Sequence, residues 1–261
     1  FGIVSMCETK NVSIVIVTFN RKELLGHVLE ALVLQMEAAD QLVVVDDGST
    51  DGTEAMVRGQ VSEVAYLKIP ENQGYRLATR INQGLELAKH DMIWRLDSDC
   101  VPQEGCLAGF KELFNSDRLI AGGIPCRTQE GEIPAPDHVA RLKLMQELMG
   151  KRPEEYFQWT QTAQLRHPVF CFGGNICFSK TKALSLGGFD SDFDGAWGAE
   201  DAWFAERMMF ELGVGLYYAP GLAVVHQWHP QGGGHRTDEA YGRNMELWRR
   251  KSREMRGHAG A

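Results

Sequence analysis

Four short clusters in this 261-residue chain bring together side chains that can hold charge or move a proton: Asp97-Ser98-Asp99, Asp46-Asp47-Gly48-Ser49, Glu200-Asp201 behind Trp197, and His226-Gln227-Trp228-His229-Pro230. Two carboxylates in a short turn, as at Asp97 and Asp99, can reach one hard divalent cation and the hydroxyls of a ribose or sugar. A cation held there can bridge diphosphate oxygens and stabilise a departing nucleotide. Asp-x-Asp is also an ordinary solvated turn, so the pair gains weight only from its company. Asp47 can accept a hydrogen bond from a base N–H or a ribose hydroxyl, while Gly48 supplies a positive φ and Ser49 or Thr50 a helix cap. Glu200 and Asp201 open a helix whose dipole is expected to keep both ionised, and an ionised carboxylate can take a proton from an attacking hydroxyl. Acidic capping is the plain alternative, but it leaves Trp197 unexplained. An exposed indole beside glycines is a platform for the apolar face of a sugar. His226 continues a strand out of Val224 and Val225, and its neutral imidazole is the expected completion of an aspartate metal site. His229, pinned to extended geometry by Pro230, ranks second.

These clusters need a scaffold that gathers strand ends, and the hydrophobic pattern supplies one. The run over 12–17 predicts a buried strand, followed by the polar turn 18–21 and by Leu24, Leu25, Val28, Leu29 and Leu32 at helical spacing. Strand, turn and helix recur at 41–45 with a helix toward Val57, and at 64–69 with a helix over 77–88. A fourth strand over 92–96 ends at Asp97. Such alternation implies an α/β protein with a parallel sheet of right-handed crossovers, whose ligand crevice lies beyond the strand C-termini. After Pro102 the pattern loosens. It predicts a helix over 105–114, a strand over 119–124, an amphipathic helix over 139–149, the aromatic cluster Tyr156, Phe157 and Trp159, a strand over 170–178, helices over 179–186 and 201–212, and short strands at 214–218 and 222–225. The division expected is a nucleotide-binding half, 11–125, an acceptor-binding and catalytic half, 126–230, and a flexible C-terminal segment with a basic helix, 231–261, all effectively one domain. The tail is expected to order with ligand.

Composition narrows the partners. With 27 Lys and Arg against 35 Asp and Glu the net charge is −8, which excludes the electrostatic footprint of a nucleic-acid or anionic-membrane binder. Any anionic ligand must be held locally. No apolar run approaches the roughly 20 residues that span a bilayer, and the start Phe1-Gly2-Ile3-Val4-Ser5 lacks both Met and a basic or apolar leader. The expectation is an excised or processed cytoplasmic segment, peripheral to a membrane at most. Six cysteines without a Cys-x-x-Cys pair predict reduced thiols rather than a disulfide or zinc scaffold. Cys171 and Cys177 are expected on one face of a strand, too far apart to bridge.

The order of these strings resembles the GT-A glycosyltransferases of family 2, with a galactosyltransferase-like C-terminal half similar to that of bacterial chondroitin polymerase domains and polypeptide N-acetylgalactosaminyltransferases. The resemblance rests on 12–21, on Val45-Asp46-Asp47-Gly48-Ser49, Asn72-Gln73-Gly74-Tyr75 and Leu96-Asp97-Ser98-Asp99, then on Phe172-Gly173-Gly174-Asn175, Gly187-Gly188-Phe189-Asp190, 197–201 and Val225-His226-Gln227. It implies a mostly parallel, Rossmann-like sheet flanked by helices, a smaller acceptor-binding second half, and a UDP-sugar donor with Mn2+ or Mg2+. It further implies that Thr18, Arg21, Asp47 and Tyr75 hold the nucleotide, Asp97 the ribose, Gly174 and Asn175 the donor sugar, and Asp99 and His226 the metal. Asp201 matches the base of inverting members and Glu200 a residue that fixes sugar hydroxyls; Trp197 faces the acceptor. Two positions depart from the pattern. Val17 stands for a proline, and Ile81 for an arginine whose charge Arg76 or Arg80 must supply.

The reaction this implies is transfer of a sugar to an acceptor hydroxyl on a glycan or other molecule, by single displacement with inversion. Retention, as in the polypeptide N-acetylgalactosaminyltransferases, would differ in product anomer. A nucleotidyltransferase would release pyrophosphate and leave 197–201 without a role, and a non-catalytic carbohydrate-binding domain would need no UDP affinity.

Overall fold

The computed structural model describes residues 10–127, 163–165, 167–168, 171, 173–230 and 237–258. The expected helix over 139–149, the aromatic cluster Tyr156, Phe157 and Trp159, and the glycine run of the tail lie outside these residues. The first half alternates as its pattern predicts: β1 Val12–Thr18, α1 Lys22–Val33, β2 Gln41–Asp46, α2 Thr53–Gln60, β3 Val64–Lys68, α3 Leu77–Leu87 and β4 Met92–Leu96. Then come β5 Cys100–Pro102, α4 Cys106–Leu113, β6 Arg118–Arg127, β7 Ala163–Leu165, β8 Asn175–Ser179, α5 Lys180–Ser185, a 3-10 turn Ser191–Phe193, α6 Glu200–Leu212, β9 Gly215–His226 and α7 Asp238–His258.

One sheet runs through both halves in the order β3-β2-β1-β4-β8-β6-β9-β5, with β7 also on β9. Strands β1 to β4 are parallel, whereas β8 is antiparallel to β4 and β6, and β5 and β7 are antiparallel to β9. The sheet is thus mixed, with its parallel character concentrated in the first half. β1 shows why its sequence is unbroken in apolarity. Ile14 and Ile16 pack with α1 residues Leu25, Val28 and Leu29 on one face, while Val15 packs with Ile81 and Leu85 of α3 on the other. Each fully buried side chain of this kind contributes roughly 1.5–3 kcal/mol.

Several local expectations are corrected. Ser49 does not cap α2: its hydroxyl accepts from the Asn20 N–H (2.8 Å), and Asp51 instead accepts from the Thr53 N–H and hydroxyl. Cys171 precedes β8 and joins the core on the α3 side, while Cys177 joins the α1 side, so they share no face. Both are free thiols, as are Cys100 and Cys106. The basic tail helix is α7, and it is docked rather than loose. The Trp248 indole N–H, the Ser252 hydroxyl and the Arg256 guanidinium all donate to Glu206 of α6. Among the described residues no helix is long and apolar enough to cross a membrane.

Candidate active site

The loops after β1 and β2 are laced together at the C-terminal sheet edge. Asn20 donates to Ser49 and accepts from the Thr50 N–H (2.8 Å), and the Asp47 N–H donates to the Thr18 carbonyl (2.9 Å). Thr18 is buried, and its hydroxyl is without a hydrogen-bond partner among the described residues. Asp47 is not turned freely to a pocket as the sequence suggests. Its two oxygens take the buried Arg80 guanidinium and the Asn72 amide (3.0 Å). Burial raises its pKa against the opposing pull of Arg80. Of the two arginines at the start of this helix, α3, Arg80 pairs with Asp47, while the charge of Arg76 acts on it without such a pair. Tyr75 lies at the start of α3, where its carbonyl accepts from the Gly195 N–H.

A cation-competent cluster forms beside this edge. Pairing of Cys100 with His226 across β5 and β9, and the Gln227 N–H on the Asp99 carbonyl (2.8 Å), bring two distant segments together. Ligand atoms of Asp99, His226 and His229 all lie within 4.8 Å of one another, as do those of Asp97, Asp99 and Cys100. His229 Nδ1 meets the Pro230 carbonyl at 2.8 Å, which accepts only, so the neutral ring carries its lone pair on Nε2. That buried Nε2 stands 3.2 Å from Asp99 Oδ2 without a satisfying hydrogen bond. Two acceptors aimed at each other fit a cation between them, and a carboxylate with two imidazoles suits Mn2+ better than Mg2+. His229, ranked second in the sequence, lies in the same cluster as His226. Arg21 is paired with Asp99 instead of standing free for nucleotide. With no cation bound and both rings protonated instead, burial would push Asp99 up, but a His229 hydrogen bond and the charges of His226 and Arg21 would outweigh it and hold the carboxyl well below its usual range.

The second carboxylate pair is joined to the first by a residue the sequence reading missed. Arg95, buried in β4, donates to Asp97 (2.7 Å). Its guanidinium charge also acts on Glu200 and Asp201. The bare glycines make room: a Cβ at Gly173 would sit 2.9 Å from both Arg95 Nη1 and Asp201 Cβ, and one at Gly174 would sit 2.7 Å from Asp97 Oδ2. Gly174 is thus a spacer for Asp97. Asp201 accepts from the Gly173 and Ala202 N–H groups (both 2.7 Å) and keeps part of its surface accessible. The expectation that the helix dipole keeps this pair acidic is overturned. Burial raises Asp201, and burial together with the Asp201 charge pushes Glu200 up to about 8. Glu200 Oε2 is buried without a partner among the described residues.

Two further expectations change. Asn175 is 2 % exposed and faces inward: it accepts from the Trp94 indole N–H (2.9 Å) and donates to the Leu222 carbonyl (2.8 Å), so its amide is spent on the fold. Trp197 is half-buried, its ring 5.5 Å from that of Tyr241 on α7.

A sheet that gathers its polar loops at one edge, a carboxylate–imidazole cluster there, and a carboxylate pair linked to it through Arg95 define a GT-A-type α/β protein. The model of "Glycosyl transferase family 2" matches residues 13–175, and that of the "N-terminal domain of galactosyltransferase" matches 165–222. The chain belongs to glycosyltransferase family 2. It is 30% identical to chondroitin synthase of Escherichia coli over 90% of this chain and 37% of that protein. It is 28% identical to hyaluronan synthase of Pasteurella multocida (90% and 26%), and 30% identical to validoxylamine A glucosyltransferase of Streptomyces hygroscopicus subsp. jinggangensis (87% and 57%). The chain spans about a quarter to just over half the length of these relatives. Among solved structures, S. aureus TarS 1–349 in complex with UDP-GlcNAc superposes with a TM-score of 0.64 at 17% identity, over 91% of this chain and 65% of that one. The mannosyltransferase PcManGT from Pyrobaculum calidifontis, in complex with GDP-Man and Mn2+, gives 0.61 at 20%, over 85% and 58%. Both likenesses show the fold.

Proposed function

We propose that this chain is a metal-dependent glycosyltransferase that moves a sugar from a UDP-sugar to a hydroxyl of a glycan acceptor, with inversion at the anomeric carbon. The observation that carries it is Arg95, which places the Asp97 end of the cation-competent cluster next to the Glu200–Asp201 pair. Asp99, His226 and His229 are the residues to hold Mn2+, which when bound neutralises diphosphate charge and eases departure of the nucleotide. Asp201, partly accessible and with a raised pKa, is the base: it takes the acceptor hydroxyl proton as that oxygen bonds to the anomeric carbon and UDP leaves from the opposite face. Glu200, protonated near neutrality, donates to a sugar hydroxyl. The free Thr18 hydroxyl and the lone pairs left on Asp47 face the nucleotide, and Trp197 with Tyr241 offers an aromatic surface to the acceptor. Relatives named as polysaccharide synthases and a glucosyltransferase support this reaction class. The two structural neighbours hold different nucleotide sugars, GDP-Man and UDP-GlcNAc, so the donor screen spans both nucleobases.

A screen of nucleotide sugars with Mn2+, reading nucleotide release, tests the proposal. UDP-sugars should turn over, EDTA should stop them, and Asp201→Asn should lower the rate on the order of 10² to 10⁴ while UDP still binds. Pyrophosphate release, or a product that keeps the donor's anomeric configuration, would point to the nucleotidyltransferase or the retaining mechanism.

A further inference from the structure

The helix α7 lies beyond the residues matched by either family model, which end at 175 and 222. Its polar contacts fall mostly on one short segment, residues 190–198, which leads directly into Glu200 and Asp201. The Asn244 amide nitrogen lies within hydrogen-bond distance of the carbonyls of Phe193 (3.0 Å), Ala196 (2.9 Å) and Gly198 (3.0 Å), which share its two hydrogens. Arg243 donates to the carbonyls of Asp194 (3.1 Å) and Asp192 (3.2 Å), and Lys251 pairs with the carboxylates of Asp190 (2.9 Å) and Asp192 (2.7 Å). Tyr241 closes on the backbone as well: a Cβ at Gly198 would meet its ring at 2.8 Å.

The segment so held is strained. Gly198 has φ 102° and Ala199 φ 68°, and Ala199 is the N-cap of α6. A left-handed alanine costs roughly 1–2 kcal/mol and persists only where its surroundings leave no alternative. Neither Ala199 nor a side-chain cap supplies that constraint, since α6 has no side-chain hydrogen bond at its N-cap. Ala199 packs in a small cluster with Phe193, Trp203 and Trp248, and Asn244, wholly buried, adds a polar hold on the Gly198 carbonyl next to the strained residue.

We propose that Asn244 is a positioning residue for catalysis, holding the 193–198 backbone in the strained form that aims Asp201 and Trp197, and that α7 is thereby part of the working active site. The proposal rests on the glycosyltransferase reading for its kinetic consequence but not for its structural one. Misplacing a catalytic group by about 1 Å can cost 10²-fold in rate. Arg256 serves as the comparison, because it braces the far end of the same helix on Glu206 and touches none of the 190–198 segment.

The test compares wild type, Asn244→Ala and Arg256→Ala by hydrogen–deuterium exchange, thermal melting, UDP affinity and steady-state kinetics with Mn2+ and donor. Asn244→Ala should raise amide exchange over residues 193–203 while β1 to β4 keep wild-type protection. It should also lower kcat on the order of 10- to 100-fold with UDP affinity within about twofold of wild type. Arg256→Ala should lower the melting temperature and leave kcat in place. Unchanged exchange over 193–203 in Asn244→Ala, or a kcat no lower than that of Arg256→Ala, overturns the proposal. If wild type turns over no nucleotide sugar, the glycosyltransferase reading fails by itself and the exchange result still decides whether Asn244 holds the segment.

Discussion

At the scale of single residues, Glu200 and Asp201 are adjacent in sequence yet differ in environment, and the roles proposed for them follow that difference. Asp201 has two backbone N–H donors and an accessible side; Glu200 is enclosed with one oxygen unmet. Glu200 therefore keeps its proton up to about pH 8 in the folded chain, against 4.5 for an ordinary glutamate. Between those values the folded state binds a proton that the unfolded state has released, so this group makes stability fall as pH rises through the window. Above pH 8 the penalty is complete. Glu200→Gln removes it, so the variant should match wild type in unfolding free energy at pH 4.5 and exceed it by on the order of a few kcal/mol at pH 9, read as a clearly higher melting temperature there. A gain that is the same at both values would mean that Glu200 is not held protonated. The sequence makes Asp97, Asp99, Glu200, Asp201 and His226 readable because each ends or opens an element. Arg95 is not readable, because a lone charge inside an apolar strand gives no sign of partners a hundred residues away.

At the scale of elements, local signals carried the first half and failed where pairing is long-range. The 3.6-residue and two-residue periods of β1 to β4 and α1 to α3 are set within each segment, so composition and spacing suffice. Strands β5 and β7 are three residues each, with too little pattern to stand out. β9 reads as two short strands because Pro220 and Gly221 interrupt it. The structure absorbs that break where its pairing with β6 shifts register between Gly122 and Gly123. The docking of α7 was equally hidden, since its partner Glu206 looks like one more surface charge on α6. Close element packing also makes a prediction at Gly84 of α3, where an added Cβ would lie 2.4 Å from Val15 Cγ1 of β1. Alanine should gain about 1 kcal/mol of helix propensity but lose roughly 1–3 kcal/mol to overpacking. Gly84→Ala should thus lower the urea midpoint. A midpoint at or above that of wild type would show that α3 has slack against the sheet.

At the scale of the whole molecule, the cation-competent cluster ties together parts of the chain that are remote in sequence. Asp99 follows β4, His226 ends the long strand β9 with His229 three residues beyond it, and Arg21, already on Asp99, follows β1. A cation that binds these groups only when folded must stabilise the entire sheet, by about 2.7 kcal/mol at a hundred times its dissociation constant. The net charge of −8 draws divalent cations toward the surface in general, so a specific effect has to be separated from a diffuse one. The separation lies in saturation and in the donors. Mn2+ should raise the melting temperature along a saturating curve that EDTA reverses, and Mg2+ should do less because two of the three donors are imidazoles. His229→Ala should lose most of the rise, and Asp99→Asn should lose it too, while both keep any diffuse, non-saturating response to divalent salt. UDP added after Mn2+ should raise the temperature further in wild type, since a diphosphate would supply oxygen donors to a cation held by these residues. The assignment fails if Mn2+ stabilises Asp99→Asn and His229→Ala as strongly as wild type, for then the cation sits elsewhere on an acidic surface and this cluster is a network of internal charge pairs.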